Sequence, residues 1–398
     1  RKSLPFIIAG SILISAPLGL SGCVRDSRAN NVQQNLEQRI EETKPISGGL
    51  QLFKNVTDKE IDFNNFSLLW KTEVTVPIHS NLFVTKDVIY AICQTSVEEE
   101  LQHEYLCAFD TRSGKLIWKY DTERENTSPF YSLVSDSDNL YINLSELVAI
   151  ELKTGKEKWK FSDIDKRQDN GTEVESVYDR LLLNSDTLFS IKLGFVYAFN
   201  PKNGELKWKH ELPKDVSSGW LSADEDLLYT MLYKFDGSDK VSTELYVLDK
   251  ETGKLTWQLK DGEIPFSEGA DPASQGFFTI LGLFLNPSPI LDPESDKVYV
   301  ISDKLYKIDK GVRKIMETVD IQSEDFELSD LLHEFGLERQ YIFDTSFSTI
   351  DALNIKTKEK VWSYELEKDV SPFGAVAIQD KKVYVGADNL LYAFGEKQ

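Results

Sequence analysis

Short segments in which apolar and polar residues alternate run through most of the chain, and this alternation predicts β-strands rather than helices. The alternation is clearest at Leu106 and Ala108, at Val196 and Ala198, and at Leu245 and Val247. A polar turn with Asp or Asn and Gly follows each of these strands, and then comes a second strand that ends in Trp. The pattern therefore predicts a series of tight β-hairpins.

Residues 109–118 are the clearest copy of this hairpin and show why its residue types occur together. The Asp110 carboxylate can accept hydrogen bonds from backbone N–H groups two residues further on. Gly114 can take a positive φ at little steric cost. The large apolar face of Trp118 can wedge between neighbouring sheets. The repeat tryptophans are Trp70, Trp118, Trp159, Trp208, Trp257 and Trp362, and the repeat glycines are Gly114, Gly155, Gly204 and Gly253.

The hairpin recurs at a spacing of roughly 40 to 50 residues, which is typical of propellers and solenoids. The longer gap between Trp257 and Trp362 fits two units, of which the first is degenerate around residues 308–311 and Ile315. The unit that ends at Trp362 has Lys358 at the glycine position.

A second signature precedes each hairpin and consists of a polar turn followed by an apolar residue and Tyr or Phe. It occurs at Tyr90, Tyr141, Phe189, Tyr229, Tyr299 and Tyr384. Together, the two signatures give each unit about four short strands, which is the size of a propeller blade.

The two ends of the chain predict how the ring closes. The last unit ends with residues 391–394 and lacks a Trp strand, whereas Trp70 has no blade before it. Residues 66–73 are therefore expected to form the outer strand of the last blade, which removes an open sheet edge. This count predicts an all-β, seven-bladed propeller over residues 61–398, and eight blades would need a further unit.

The unit Ala-Phe-Asp-x-x-(Thr/Ser)-Gly-Lys-x-x-Trp, as at residues 108–118, resembles the repeat of the PQQ-like propeller family. The resemblance covers residues 66–395. That family includes quinoprotein dehydrogenases and the BamB-type lipoproteins of outer-membrane protein assembly. The resemblance implies a non-catalytic scaffold that binds other envelope proteins. The alternative is a quinone-cofactor-dependent oxidoreductase, or a polysaccharide-binding or polysaccharide-active protein, that uses the central funnel.

The first 22 residues are predicted to be a lipoprotein signal peptide. Arg1 and Lys2 precede an uncharged segment, residues 4–20, and Ser21-Gly22-Cys23 is similar to a bacterial lipobox with Cys23 as the lipidated residue. The alternative, a transmembrane anchor, would be short. Residues 23–60 are polar and are expected to form a flexible tether. The protein is thus expected to be anchored to a membrane, namely the outer membrane facing the periplasm if the organism is Gram-negative.

The net charge of −21 and the pI of about 4.7 argue against one class of partner. Nucleic acid is disfavoured because phosphate binding requires a positive surface. The acidic residues are expected to form a solvated surface, and the propeller is expected to be monomeric.

Cys93 and Cys107 fall on adjacent predicted strands of the first full blade. Their spacing would allow a disulfide in an oxidising compartment. Two buried free thiols are the other interpretation, and the sequence leaves both open.

A search for catalytic and metal-binding motifs assigns no residue to catalysis, to a cofactor or to a metal ion. The four histidines are scattered, and none lies at ligand spacing to a cysteine or another histidine. The acidic clusters at residues 136–138 and 224–226 recur at the same place in the repeat, which favours ordinary turns over calcium loops. The adjacent Cys-Cys pair expected of a quinoprotein dehydrogenase does not occur.

Two segments and one tryptophan depart from the repeat and are candidates for a partner-binding surface. Residues 262–295 contain Phe277 and Phe278, and residues 322–338 have the apolar spacing of a helix. Trp220 lies outside the repeat frame. Longer strands, a packed surface helix and core packing of Trp220 are the alternative interpretations.

Overall fold

The computed structural model describes residues 56–57 and 61–397, with gaps at 76, 79–81, 96–102, 126–131, 145, 163–166, 170–171, 175–179, 193, 215, 236–240, 266–288, 292–294, 302–303, 320–340, 347–348, 355–356, 358, 368–374 and 380. Within these residues the protein consists of β-strands and turns, without a helix. The predicted signal peptide, nearly all of the predicted tether and the predicted helix at residues 322–338 lie outside the described part of the chain.

The strands of the first half are β1 (Val56–Thr57), β2 (Phe66–Glu73), β3 (Phe83–Val84), β4 (Val88–Gln94), β5 (His103–Asp110), β6 (Leu116–Glu125), β7 (Leu133–Ser135), β8 (Asn139–Asn143), β9 (Leu147–Glu151), β10 (Glu157–Phe161), β11 (Arg167–Asp169), β12 (Thr172–Val174), β13 (Arg180–Asn184), β14 (Thr187–Lys192) and β15 (Phe195–Phe199).

Those of the second half are β16 (Leu206–Glu211), β17 (Val216–Ala223), β18 (Leu227–Phe235), β19 (Val241–Asp249), β20 (Leu255–Pro265), β21 (Ile290–Leu291), β22 (Lys297–Ile301), β23 (Leu305–Asp309), β24 (Lys314–Val319), β25 (Tyr341–Ser346), β26 (Thr349–Asn354), β27 (Lys360–Glu365), β28 (Ala375–Gln379), β29 (Lys382–Ala387) and β30 (Leu390–Glu396).

The described strands form seven four-stranded antiparallel sheets and the two-stranded ladder β11–β12, the architecture of a β-propeller. The first five sheets are built from consecutive strands: β3–β6, β7–β10, β13–β16, β17–β20 and β21–β24. The sixth sheet has the order β1-β25-β26-β27, and the seventh has the order β2-β30-β29-β28. In the first six sheets the second and third strands are largely buried, and the fourth strand, at the rim, is more exposed. In the seventh sheet β29 and β30 are the buried strands, and β2 is the rim strand.

The segment before the first sheet contributes strands to two different sheets. Strand β2 lies antiparallel to β30 as the rim strand of the seventh sheet, with Trp70 opposite Ala393. This is the position expected for residues 66–73. Strand β1 pairs with β25 in the sixth sheet, with Val56 opposite Ile342. The tether prediction for residues 23–60 was therefore wrong at Val56–Thr57, because a two-residue strand has too few positions for an alternating pattern.

The hydrophobic core lies between neighbouring sheets rather than within one sheet. One buried cluster joins Tyr141 and Ala149 of the second sheet to Leu188 and Phe199 of the third. The largest fully buried side chains include the tyrosines of the second repeat signature: Tyr90, Tyr141, Tyr229 and Tyr384. This signature therefore supplies much of the packing that holds successive sheets together.

Candidate functional site

The repeat hairpin is a turn whose polar groups are satisfied within the turn itself. The Asp110 carboxylate Oδ1 accepts hydrogen bonds from the Arg112 N–H, at 3.1 Å, and from the Ser113 hydroxyl, at 2.9 Å. The Gly114 N–H donates to the Asp110 carbonyl at 2.8 Å, and Gly114 has a φ of 68°. This left-handed conformation explains the glycine, because a Cβ would make it unfavourable.

Four repeat tryptophans lie over the repeat glycine of the next sheet. A Cβ added to Gly155 would lie 2.6 Å from Cδ2 of Trp118, and a Cβ added to Gly204 would lie 2.5 Å from Cε3 of Trp159. Gly253 takes the same place under Trp208. Trp70 of β2 lies over Gly114 in the same way, across the junction between the seventh and first sheets.

The same four indoles also donate a hydrogen bond to the next sheet. Each Nε1 donates to the backbone carbonyl of the residue that follows the Asp, Glu or Asn at the start of the turn. The pairs are Trp70 to Thr111 at 3.1 Å, Trp118 to Leu152 at 2.9 Å, Trp159 to Pro201 at 2.9 Å and Trp208 to Lys250 at 3.0 Å. We call the indole on the glycine together with this hydrogen bond the Trp–Gly interlock. It joins four consecutive pairs of sheets and explains the residue types of the repeat.

The fifth sheet departs from this pattern. Register places Glu317 of β24 opposite Lys307, just as Trp118 of β6 lies opposite Ala108. Lys307 Nζ and Glu317 Oε2 are 3.0 Å apart. In this degenerate unit the residue equivalent to the repeat tryptophan is Glu317, two residues after Ile315. The sequence spacing also identifies Glu317, because it follows Asp309 at the same distance as Trp118 follows Asp110.

The glycine position of the fifth sheet is also changed. Arg313 has a φ of 56°, and its N–H donates to the Asp309 carbonyl at 2.8 Å, as Gly114 does to Asp110. An arginine thus holds the left-handed conformation on the sheet that follows Trp257.

Replacing Arg313 with Gly is expected to raise the free energy of unfolding by up to about 1 kcal/mol, because the left-handed conformation disfavours a residue with a Cβ. Thermal melting monitors the change. Lys314→Gly is the matched control, since it places glycine in the adjoining strand and is expected to destabilise the protein. Equal destabilisation by both substitutions would contradict this account of Arg313.

The acidic turns between the first and second strands are bound internally. Asp136 Oδ1 accepts hydrogen bonds from the Asp138 N–H at 2.7 Å and the Asn139 N–H at 2.6 Å, and the Tyr141 hydroxyl donates to Oδ2 at 2.6 Å. Burial alone would raise the pKa of Asp136, but the hydrogen bonds from Tyr141 and from the turn amides hold it below its ordinary value. The same groups therefore fix the turn and the buried tyrosine.

A second aspartate turn links three sheets. Asp224 accepts from the Tyr229 hydroxyl at 2.8 Å and pairs with Lys310 Nζ of the fifth sheet at 3.1 Å. Lys250 Nζ donates to the Asp224 carbonyl at 3.2 Å and lies 3.4 Å from Asn184 Oδ1 of the third sheet. Burial opposes ionisation of Asp224, but the bonds from Tyr229, from the turn amide and from Lys310 lower its pKa overall. This network connects the fourth and fifth sheets, where Arg313 replaces the repeat glycine.

His210 lies at the contact between the third and fourth sheets. Its Nε2 is 3.2 Å from the Tyr246 hydroxyl, and the two rings are 5.8 Å apart. Burial lowers the pKa of His210 below 6.5, although the Gly253 backbone and Glu211 favour the charged form. The folded protein therefore holds this imidazole neutral more strongly than the unfolded chain does.

The stability that depends on His210 is expected to be fully present above pH 6.5, its ordinary pKa, and to be lost as the pH falls below that value. The unfolded chain then binds the proton more readily than the folded protein. Urea unfolding across this range, compared between the wild type and His210→Gln, measures the effect. The variant is expected to lose less stability on acidification, and equal losses would contradict the assignment.

Cys93 and Cys107 are both buried free thiols in the structure. Cys93 lies opposite Tyr105, and Cys107 lies opposite Ala91, so the two cysteines are diagonal rather than directly paired. Burial, followed by the contact with Cys107, raises the pKa of Cys93 well above its ordinary value. A thiol held protonated is a poor nucleophile. A disulfide between them stays a prediction.

The remaining predicted site residues lie wholly or partly outside the described structure. Trp220 is in β17, where the register shifts between Ser218 and Leu221, and its side chain is outside the description. Cys23, Phe277 and Phe278 lie outside the described residues. In the described part of the chain, no group of three or more His, Cys, Asp and Glu side chains could hold a metal ion. No helix among these residues is long and apolar enough to cross a bilayer.

Solved structures with a similar fold include a europium-containing methanol dehydrogenase, with a TM-score of 0.56 and 12% identity, covering 90% of this chain and 100% of that chain. BamB from Moraxella catarrhalis has a TM-score of 0.44 and 13% identity, covering 83% of this chain and 99% of that chain. At these identities the likeness concerns the fold alone.

One curated relative is the quinoprotein alcohol dehydrogenase PedH of Pseudomonas putida KT2440, which is 28% identical over 115 residues. The match covers 25% of this chain and 19% of the relative, so the chain matches about a fifth of that protein's length.

The family model described as outer membrane protein assembly factor BamB matches residues 60–193 and 192–269. These residues make up more than half of the chain and contain all four repeat glycines that carry the interlock. The chain therefore belongs to the PQQ-like repeat propeller family that this BamB model describes.

Proposed function

We propose that this protein is a non-catalytic scaffold of the cell envelope that binds other envelope proteins during outer-membrane protein assembly. The observation that carries the proposal is the match of the BamB family model to residues 60–269. The PQQ-like fold also occurs in dehydrogenases, so the fold alone does not decide between the two functions.

The aspartates of the repeat make their hydrogen bonds and ion pairs within the fold itself, and this structural role supports a scaffold. Asp110 and Asp136 bind their own turns, and Asp224 binds Tyr229 and Lys310. The shifted pKa values of Asp136 and Asp224 have their causes in these structural contacts. Structural networks shift pKa values as active sites do, and here the partners are turn amides, tyrosines and a lysine.

The scaffold is proposed to be held at the membrane by a lipid on Cys23. Changing Cys23 to Ser is expected to leave the precursor unprocessed and unlabelled by radioactive fatty acid. Unchanged fatty-acid labelling of the Ser variant would exclude Cys23 as the lipidation site.

Affinity isolation of the anchored full-length protein from solubilised envelopes tests the scaffold function. Components of the outer-membrane assembly machinery are expected to be enriched relative to an isolation with the Cys23→Ser variant. Enrichment of no envelope protein over that control would overturn the proposal.

A quinone-dependent oxidoreductase is the second candidate, because one segment is 28% identical to a quinoprotein alcohol dehydrogenase. Among the described residues, no group of three or more His, Cys, Asp and Glu side chains is placed to hold a metal ion, so this part of the chain offers no support for a calcium site. The sequence also has no adjacent Cys-Cys pair. Assays of alcohol and sugar oxidation with added pyrroloquinoline quinone and calcium separate the two candidates, and turnover would refute the non-catalytic scaffold.

A further inference from the structure

The rim of the fifth sheet carries strongly exposed apolar side chains. Met316 of β24 is 63% exposed and Val312 of the preceding turn is 59% exposed, the highest values among the large apolar side chains that the structure describes. The equivalent rim residue of the first sheet, Ile117, is 48% exposed. Single exposed apolar residues are ordinary on protein surfaces, so this exposure needs independent support.

The backbone of β24 gives that support. β24 is the last strand of its sheet, so one edge carries backbone donors and acceptors without a strand partner in the described chain. Lysines within a rim strand discourage pairing with another chain. The rim strands of the first three sheets and the seventh carry such lysines in or after their second residue: Lys71, Lys119, Lys158, Lys160, Lys207 and Lys209.

β24 has its lysine, Lys314, only at its first residue, and the strand continues Ile-Met-Glu-Thr-Val. β-branched and apolar residues of this kind favour an extended conformation. The sixth-sheet rim strand β27 also begins with its lysine, but Trp362 packs against Phe394 of the seventh sheet, with ring centroids 5.4 Å apart.

The fold does not use β24 in the way it uses four other rim strands. Glu317 stands at the tryptophan position and makes an ion pair with Lys307 within its own sheet. β24 therefore supplies no indole to the following sheet, and none of the described strands pairs with its outer edge.

Charge indicates what kind of segment would bind there. Arg313 and Lys314 are exposed directly before the apolar part of β24, in a protein with a net charge of −21. A segment with acidic residues complements these two cations, and apolar residues at alternate positions would cover Met316. A basic segment would be repelled locally.

We propose that β24 is a docking edge at which an extended, acidic and apolar segment of a partner protein adds as a fifth strand. Main-chain hydrogen bonds to this edge, which has no strand partner among the described residues, supply the affinity. Met316, Arg313 and Lys314 select a segment that carries apolar and acidic residues. This inference rests on the proposed scaffold function and names its binding surface.

The test uses the full-length protein and a fluorescently labelled peptide of alternating valine and glutamate. Saturable binding is expected by fluorescence anisotropy, with slowed backbone hydrogen exchange at residues 314–319. The same peptide with N-methylated backbone amides, and a valine–lysine peptide, are expected to bind at least about tenfold more weakly, since one loses main-chain donors and the other is repelled.

The matched variants are Met316→Lys on β24 and Ile117→Lys on β6. Both positions are exposed, and wild-type melting temperatures are expected for both variants. Met316→Lys is expected to weaken peptide binding at least about tenfold, whereas Ile117→Lys leaves it unchanged. No saturable binding, equal binding of the N-methylated peptide, or equal behaviour of the two variants would overturn the docking edge. If the affinity isolation still retains envelope partners in that case, the docking edge is refuted and the scaffold function stands.

Discussion

Replacing Trp70 with alanine is expected to lower the free energy of unfolding by about 3 kcal/mol, the low end of the cost of truncating a large aromatic side chain, because Trp70 is only partly buried. Trp70 lies opposite Ala393 in the seventh sheet, over Gly114 of the first sheet, and donates to the Thr111 carbonyl at 3.1 Å. The substitution removes all contacts of this indole across the junction between the two ends of the propeller. Equilibrium unfolding in urea measures the loss.

Trp118→Ala is the matched control for this prediction, because Trp118 makes the same interlock with Gly155 and Leu152 inside the continuous part of the ring. A similar loss of stability is expected for both variants. Only Trp70→Ala is expected to speed hydrogen exchange in β30, whose partner β2 is held by no adjacent hairpin. A loss below about 1 kcal/mol for Trp70→Ala alone would contradict the assignment of its contacts.

Replacing Gly204 with alanine is expected to cost at least about 3 kcal/mol. Gly204 has a φ of 72°, and the new Cβ would lie 2.5 Å from Cε3 of Trp159. The substitution therefore combines an unfavourable backbone conformation with a clash against a packed indole. The indole has to move, which also weakens its hydrogen bond to the Pro201 carbonyl.

Gly194→Ala isolates the backbone part of this cost. Gly194 has a φ of 83°, but a Cβ there would meet nothing within 4 Å. Its loss is expected to be about 1–2 kcal/mol, the cost of the left-handed conformation alone. Equal losses for Gly194→Ala and Gly204→Ala would show that the indole does not press on the glycine.

The parts of the fold that the sequence predicts well are those encoded locally. The Asp110 turn, the positive φ of Gly114 and the strand that carries Trp118 all follow from residues close together in the chain. That strand was expected to end at Trp118 but continues to Glu125, because its pairing with the preceding strand extends to His103. The β2–β30 pairing spans the whole chain, yet it follows from counting, because one unit has a surplus strand and another lacks one. Ring closure therefore needed no knowledge of long-range contacts.

Other features depend on interactions that no single segment encodes. Strand β1 has two residues, and only its pairing with β25 makes it a strand. The partner of each indole is a carbonyl in the next sheet, which any residue type provides, as Thr111, Leu152, Pro201 and Lys250 show. Side-chain patterns carry no information about such an acceptor.

The candidate surface could be predicted even less well. Trp220, Phe277 and Phe278 were singled out because they interrupt the repeat, but interruption alone does not say what a residue contacts. The substitution of Glu317 for a tryptophan is visible in the sequence once the spacing from Asp309 is counted. The exposure of Met316 is visible only in the folded protein, where β24 takes its place at the rim.

Thermal denaturation and sedimentation of two truncated proteins test the central claim, which is that N-terminal strands close the ring. Residues 55–398 keep β1 and β2, whereas residues 76–398 lose both. The longer protein is expected to melt at the temperature of the full chain and to stay monomeric. The shorter one is expected to melt at a much lower temperature and to aggregate, because β25 and β30 are left as open edges. Equal melting temperatures and a monomeric shorter protein would contradict the closure.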